Sequence, residues 1–310
     1  LFRSAMFAPN QEPWEFGKKV SAQIRAYILL RYRLRPYLYQ CFIAHEARGE
    51  AVMRPLSYEF HEPAASGASE GVSTLLVDDQ FMIGPWLMQA PFLQEKQKQR
   101  TVALPTGQWY AVHTGKWMQG GAIISERSRF GTTPLYLREG GILAAASPEQ
   151  DDEDGRASEL HILLHRTSRV QARTSIRYDD GIGFGYRYGQ ELQLNVSAMV
   201  AAHAGSAGDG ELVLTVESLE TPVSPDAAPI ADAADAANVA GTAADTDNSL
   251  LPETFRIVAY DAFRRLSVKS LDPTLEVWLN PESVKEQNLL DSGKTQVWQI
   301  IIHRTHCCVP

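Results

Sequence analysis

The stretch that decides the fold is QEPWEFGKKVSAQIRAYILLRYRLRPYLYQCF, residues 11–42. From Gly17 onward its apolar residues fall at Val20, Ile24, Tyr27, Ile28, Leu34, Leu38, Cys41 and Phe42. Steps of three and four put them on one face of an α-helix. Arg25, Arg31, Arg33 and Arg35 take the remaining positions. Pro36 lacks an N–H and collides with the carbonyl one turn back, so a break is expected near Arg35, with Pro36 opening a second helical piece. Gly49 is expected to end it as a left-handed cap. No earlier element is present for such a helix to pack on, and the first residue is Leu1. The C-terminal IIIHRTHCCVP stops just after a strand-like run. Both ends are therefore expected to be cut from a longer protein.

Outward from this helix the period changes from about 3.6 to two. Short β-rich runs separated by Gly and Pro follow: FMIGPWLMQAP from Phe81, RTVALPTGQWYAVHTG from Arg100, GAIISE from Gly121 and TPLYLREGGILAAA from Thr133. An acidic connector, SPEQDDEDG at 147–155, separates them from a second set: ELHILLHR, RVQARTSIRYDD, QLNVSAMVA, ELVLTVES, FRIVAYD, TLEVWLN and TQVWQIIIHR. Frequent turn signals between such runs predict antiparallel β-sandwiches. Between ELVLTVES and FRIVAYD lies a segment at 221–249 rich in Ala, Asp and Pro and without aromatics. It cannot bury enough apolar area to offset its ordering entropy and is expected to be a disordered insertion.

The bulk composition excludes some functions. The chain has 310 residues, 44% of them hydrophobic, with a formal net charge of −8. An acidic surface argues against a nucleic-acid partner, which requires a clustered basic face. Lys96, Lys98 and Arg100 form a small basic run, expected to be a solvated loop. No run of about 18 apolar residues is present, so no membrane-spanning helix is expected. The 3 cysteines, Cys41, Cys307 and Cys308, form neither a disulfide framework nor a metal-ligand pattern, and no metal or cofactor is expected. Compartment is left open; one sequon, Asn195-Val196-Ser197, falls in a predicted strand.

Taken in order, several motifs resemble glycoside hydrolase family 31, the α-glucosidase-like enzymes. These are Phe2-Arg3, Gln11-Glu12-Pro13-Trp14, Leu30-Arg31-Tyr32-Arg33-Leu34 with Pro36-Tyr37-Leu38-Tyr39, and Arg54-Pro55-Leu56. Asp79-Gln80-Phe81-Met82 with Gly84, Leu104-Pro105 with Gly107 and Trp109, and Arg138 with Gly140-Gly141 continue the match. Tyr178-Asp179-Asp180-Gly181 with Tyr188-Gly189 extends it to the hairpin of that family's distal β-domain. The resemblance implies a mainly β chain, in which the last helical unit of a (β/α)8 barrel precedes two antiparallel β-sandwich domains. It places the barrel end at residues 1–60, a proximal sandwich at 61–147 and a distal sandwich at 148–310.

The activity implied is retaining hydrolysis of α-linked oligosaccharides or glycosides, which uses two carboxyls about 5–5.5 Å apart. In the family both are aspartates on earlier strands, so no catalytic residue is expected here and these residues alone are expected to be inactive. The partners implied are the α-glycoside substrate and the upstream barrel of the same polypeptide. Asp78-Asp79, Asp151-Asp152-Glu153-Asp154 and Asp179-Asp180 are read as solvated turns. Substrate-binding residues are expected at the barrel rim, at Arg3 and Ala5. The family presents Arg-x-His there, whereas this chain reads Arg3-Ser4-Ala5, and alanine cannot donate to a sugar hydroxyl. A non-catalytic carbohydrate-binding or scaffolding descendant is the alternative that Ala5 supports. Trp86, Trp109, Trp117 and Trp278 are expected mainly in cores, and His161 and His165 as ordinary sandwich residues.

Overall fold

The computed structural model describes residues 12–60, 74, 76–146, 156–179, 181, 186, 191–201, 211–220, 254–260, 265–270, 275–280 and 296–304. Arg3 and Ala5, the acidic connector and the 221–249 segment lie outside the described residues.

A short 3-10 turn, Pro13–Phe16, leads into α1 (Gly17–Arg33). Leu34 caps it, and α2 (Arg35–Arg48) starts with Pro36 in its first turn, where the missing N–H has no helical partner to lose. Gly49 ends α2 at φ +71° and donates its N–H to the His45 carbonyl at 2.8 Å. The break and both termini follow from the Pro and Gly positions. Two residues apart on α2, the two tyrosines point to different sides. Tyr37 is buried and donates to the Ile83 carbonyl at 2.7 Å, whereas Tyr39 reaches Asp179.

The first sheet comprises β1 (Met53–Pro55), β2 (Phe81–Ile83), β3 (Leu87–Gln89), β5 (Gln108–Ala111), β6 (Lys116–Gln119) and β8 (Leu135–Arg138), in the order β1-β2-β3-β8-β5-β6. A one-turn helix, α3 (Leu56–Glu59), follows β1, and a separate ribbon pairs β4 (Gln99–Leu104) with β7 (Ala122–Arg127). Trp109, Met82, Met88 and Tyr136 are fully buried between sheet and ribbon.

The second sheet comprises β9 (Gly141–Ala145), β10 (Glu159–Leu163), β11 (Ala172–Tyr178), β12 (Leu192–Ala201), β13 (Glu211–Glu220), β14 (Thr254–Ala259), β15 (Arg265–Ser270), β16 (Leu275–Asn280) and β17 (Gln296–Arg304). Their order is β15-β13-β12-β11-β9-β10-β14-β17-β16. Most pairings are antiparallel, as expected, but β10–β14 and β13–β15 are parallel, and β11 touches β9 in parallel. Residues from β9 through β15 share one core, so a continuous sheet supplies its walls.

β9 and β10 pair directly, so the acidic connector joins two strands of one sheet rather than separating two sandwiches. The passage between sheets falls earlier, at Glu139–Gly140. Gly140 sits at φ +98°, and a Cβ on Gly141 would stand 2.7 Å from Cε2 of the Trp86 ring. Only glycine fits where the chain turns this tightly under the indole.

A third core joins the parts. Leu30, Tyr37 and Cys41 of the helix pair meet Leu87, Tyr110 and Leu137 of the first sheet and Leu143, Leu163 and Val258 of the second. The period of two explains how β9, β10 and β14 serve both sides. Ile142, Ile162 and Ile257 face the sandwich core, and Leu143, Leu163 and Val258 face the junction. Such strands read as continuous apolar runs because both faces are buried.

Candidate functional site

Arg3 and Ala5 are the sequence-predicted substrate-binding residues, and neither is among the described residues. The described structure shows the surface that lies behind them in sequence. Along α1 and α2 runs an apolar groove of about 720 Å3, lined by Tyr27, Leu30, Leu34, Leu38, Ile83 and Leu135 among others. Only Leu30 of α1 is buried. Tyr32 is 60% exposed and Phe42 57% exposed. The amphipathic face predicted from sequence is therefore only half used by the described residues.

The helix pair is fixed on its other side by polar contacts. Arg33, at the end of α1, pairs with Glu159 of β10 at 2.8 Å. Glu159 has no exposed side-chain surface, and it also meets Arg256 at 2.9 Å and His161 at 3.1 Å. His161 completes the cluster through Tyr260 Oη at 2.8 Å. Burial pushes the Glu159 pKa up, but the His161 hydrogen bond and the Arg33 charge outweigh it and hold the carboxyl at about 2. Burial pushes the His161 pKa down. A neutral imidazole then donates an N–H to Glu159, while the two guanidiniums supply the countercharge. His161 was expected to be an ordinary sandwich residue. The available signal was three charged or titratable residues, Glu159, His161 and Arg256, inside otherwise apolar strands.

Other carboxylates are similarly committed. Asp79 pairs with Arg100 at 2.7 Å. Arg100 was expected in a solvated loop, yet it is only 5% exposed. Its guanidinium also donates to the carbonyls of Asp79 and Pro91. Asp179 accepts from Tyr39 and from the Gly181 N–H and is 9% exposed, where a solvated turn was expected. Glu126 accepts from Tyr136 at 2.6 Å and lies 3.1 Å from His113. Asp78 is exposed, while the 151–154 run and Asp180 lie outside the described residues. Among the described residues these carboxylates are held by structural cations and hydroxyls. Among the described residues no group of three or more His, Cys, Asp or Glu is arranged to hold a metal.

The tryptophans divide. Trp109 is fully buried and donates its indole N–H to the Pro105 carbonyl at 2.8 Å. Trp117 donates to the Tyr260 carbonyl at 3.0 Å and tethers the two sheets. Trp86 is half-buried against the glycine turn. The Trp278 side chain is outside the described residues.

Comparison with known proteins gives a consistent picture. Residues 2–41 match the glycosyl hydrolases family 31 TIM-barrel domain, and residues 49–143 match the glycosyl hydrolase family 31 C-terminal domain. Alpha-glucosidase 2 of Bacillus thermoamyloliquefaciens is 30% identical over 189 residues, which is 60% of this chain and 23% of that protein. Alpha-xylosidase of Saccharolobus solfataricus is 26% identical over 181 residues, 58% of this chain and again 23% of that protein. The chain thus spans under a quarter of the length of these two relatives. The crystal structure of the family 31 alpha-xylosidase from Xanthomonas citri superposes with a TM-score of 0.61 at 20% identity, covering 96% of this chain and 26% of that one. At that identity the likeness concerns the fold.

Proposed function

From the matches of residues 2–41 and 49–143 to domains of glycosyl hydrolase family 31, we propose that the chain is a member of that family and serves a retaining α-glycosidase acting on O-glycosidic bonds of α-linked carbohydrates. In this reading residues 1–60 finish the catalytic barrel, the sheet ending at Arg138 forms the proximal β-domain, and the sheet starting at Gly141 forms the distal one. The observation that carries the reading is the helix pair. It falls in the stretch matched to the barrel domain, is anchored by Tyr37 and Arg33, and borders a large apolar groove shared with the first sheet. A barrel's last helix must do both: close the ring of helices and brace the β-domains joined to it. The β-domains then act on catalysis by holding the last unit, and so the rim at Arg3, in place.

The two carboxyls of such chemistry belong to earlier barrel strands, so the residues here bind and position rather than transfer protons. Arg3 and Ala5 are proposed to face the sugar at the C-terminal end of the last barrel strand. A sugar hydroxyl left unpaired in a dry pocket costs about 1–3 kcal/mol. Placing Ala5→His in the barrel-containing protein should raise kcat/KM on aryl α-glucosides by roughly tenfold to a hundredfold, the equivalent of that penalty. Strong activity before the change and none gained by it would show that Ala5 faces away from the sugar. The loss of a donor at Ala5 also favours a second reading, a non-catalytic carbohydrate-binding descendant. That version requires the Ala5→His protein to bind glycosides without turnover.

A further inference from the structure

We propose that Tyr27, together with Gln23, is a positioning residue for the sugar-binding rim, holding the N-terminal half of α1 against the loop between β7 and β8. The proposal rests on the α-glycosidase reading above and names a contact through which the first sheet acts on that site. Lys19, Gln23 and Tyr27 stand four residues apart, so they form one stripe along the first three turns of α1. All three meet the loop at 128–133. Gln23 donates its carboxamide N–H to the Gly131 carbonyl at 2.7 Å, and the Tyr27 hydroxyl donates to the same carbonyl at 3.0 Å. The Tyr27 hydroxyl also accepts from the Thr133 N–H at 2.9 Å. Lys19 Nζ lies 4.2 Å from the centre of the Phe130 ring. Gly131 stands at φ +75°, and a Cβ there would collide with the Gln23 carboxamide, so the loop backbone lies directly on the helix.

The loop is itself tied down at both ends. Ser128 donates its N–H to the Lys98 carbonyl at 2.8 Å, and past Thr133 the Pro134 carbonyl accepts from the Ala90 N–H at 3.1 Å. Between them the Thr132 N–H closes a turn on the Arg129 carbonyl at 3.1 Å. The loop is therefore an extension of the first sheet and its ribbon, and the helix is held to that block.

The far end of α1 is held separately, by Arg33 on Glu159. The two anchors differ in what they control. In a (β/α)8 barrel the connection from a strand to its helix lies at the C-terminal face of the strands, where substrate binds. The Gly131 clasp thus holds the end of α1 next to the rim, and Arg33 holds the end remote from it. A shift of the first turns of α1 is passed to the connection that runs back in sequence from Gly17 to Arg3. Misplacement of a binding group by about 1 Å can cost about 10²-fold in rate. Loss of one hydroxyl from a clasp of several contacts is expected to cost a fraction of that.

The test uses the barrel-containing protein and an aryl α-glucoside. Tyr27→Phe removes the hydroxyl that serves both Gly131 and Thr133, and Gly131→Ala displaces the loop without altering α1. Each should raise KM by about threefold to tenfold while kcat stays within about twofold, because the rim binds the sugar and the reacting carboxyls lie elsewhere. Tyr178→Phe is the comparison: it removes one buried hydroxyl bond, to the Ala157 carbonyl at 3.1 Å, within the second sheet, and should leave KM unchanged. In the 310-residue chain, amide hydrogen exchange in the first three turns of α1 should quicken in both clasp variants while α2 keeps its protection. Unchanged exchange there would overturn the clasp. An active protein whose KM ignores both clasp variants, or rises equally with Tyr178→Phe, would overturn the positioning role and leave the α-glycosidase reading standing. A barrel-containing wild type without turnover would instead strike that reading, and this role with it.

Discussion

Replacing Glu159 by Gln should unlock the helix pair from the second sheet, and the loss should depend on pH. Glu159 is fully buried between Arg33, Arg256 and His161. Removing its charge leaves two guanidiniums in a site built for an anion, and breaking a buried ion pair from one side costs about 3–5 kcal/mol. The linkage gives a similar size. The carboxyl titrates at about 2 in the folded protein, against about 4.3 for a free glutamate, which is worth about 3 kcal/mol. Because the folded value is the lower one, the unfolded chain takes up the proton first as pH falls. The stabilisation is therefore complete above about pH 5 and is lost between about pH 4.5 and 2. His161, also depressed by burial, adds to the acid lability with the same sign, starting below the usual imidazole value of about 6.5. Thermal denaturation of wild type and Glu159→Gln across pH measures the effect. At about 2–4 °C per kcal/mol, the two should differ by roughly 10 °C near neutrality. The gap should close to half or less by about pH 3, where wild-type Glu159 has lost most of its advantage. A gap that stays constant across this range, or one under about 1 kcal/mol near neutrality, would refute the reasoning.

Two further substitutions probe the junction. Pro36→Ala frees the unfolded backbone while removing no strain from the first turn of α2, so it should lower stability by about 0.4–1 kcal/mol; a higher melting temperature would contradict this. Gly84 lies at φ +59°, and a Cβ there would collide with the Tyr37 hydroxyl and the Cys41 sulfur. Gly84→Ala should therefore cost at least the about 1–3 kcal/mol of a strained backbone position and weaken the Tyr37 contact with the Ile83 carbonyl, which urea unfolding would register.

Local chemistry made part of the fold legible in the sequence. The helix break at Leu34, the Gly49 cap and most strands from β2 through β17 each carry a period, a proline or a glycine that fixes a backbone state. Short pieces escaped: β1, β6 and β15 are too brief or too mixed to show a period of two. Long-range geometry escaped as well. Nothing local distinguishes Arg33 from the exposed arginines of α1, yet it is the one that reaches Glu159. Arg100 sits in a basic run that reads as loop, and burial follows only from Asp79 and the Pro91 carbonyl closing around it. The passage between sheets was expected at the acidic connector because charge is a strong loop signal. The Gly140–Gly141 step that performs it depends on Trp86 packing from another part of the chain. Family motifs pointed to Arg3 and Ala5, whose placement the described residues do not include.

The most direct measurement is hydrolysis of an aryl α-glucoside and an aryl α-xyloside, by the 310-residue chain alone and by the same chain joined to a complete family 31 barrel. We expect no turnover above blank from the chain alone, since each described candidate carboxylate other than exposed Asp78 is held by a structural partner. The barrel-containing protein should cleave at least one of the two with retention of anomeric configuration. Turnover by the chain alone, or inversion by the joined protein, would contradict the assignment.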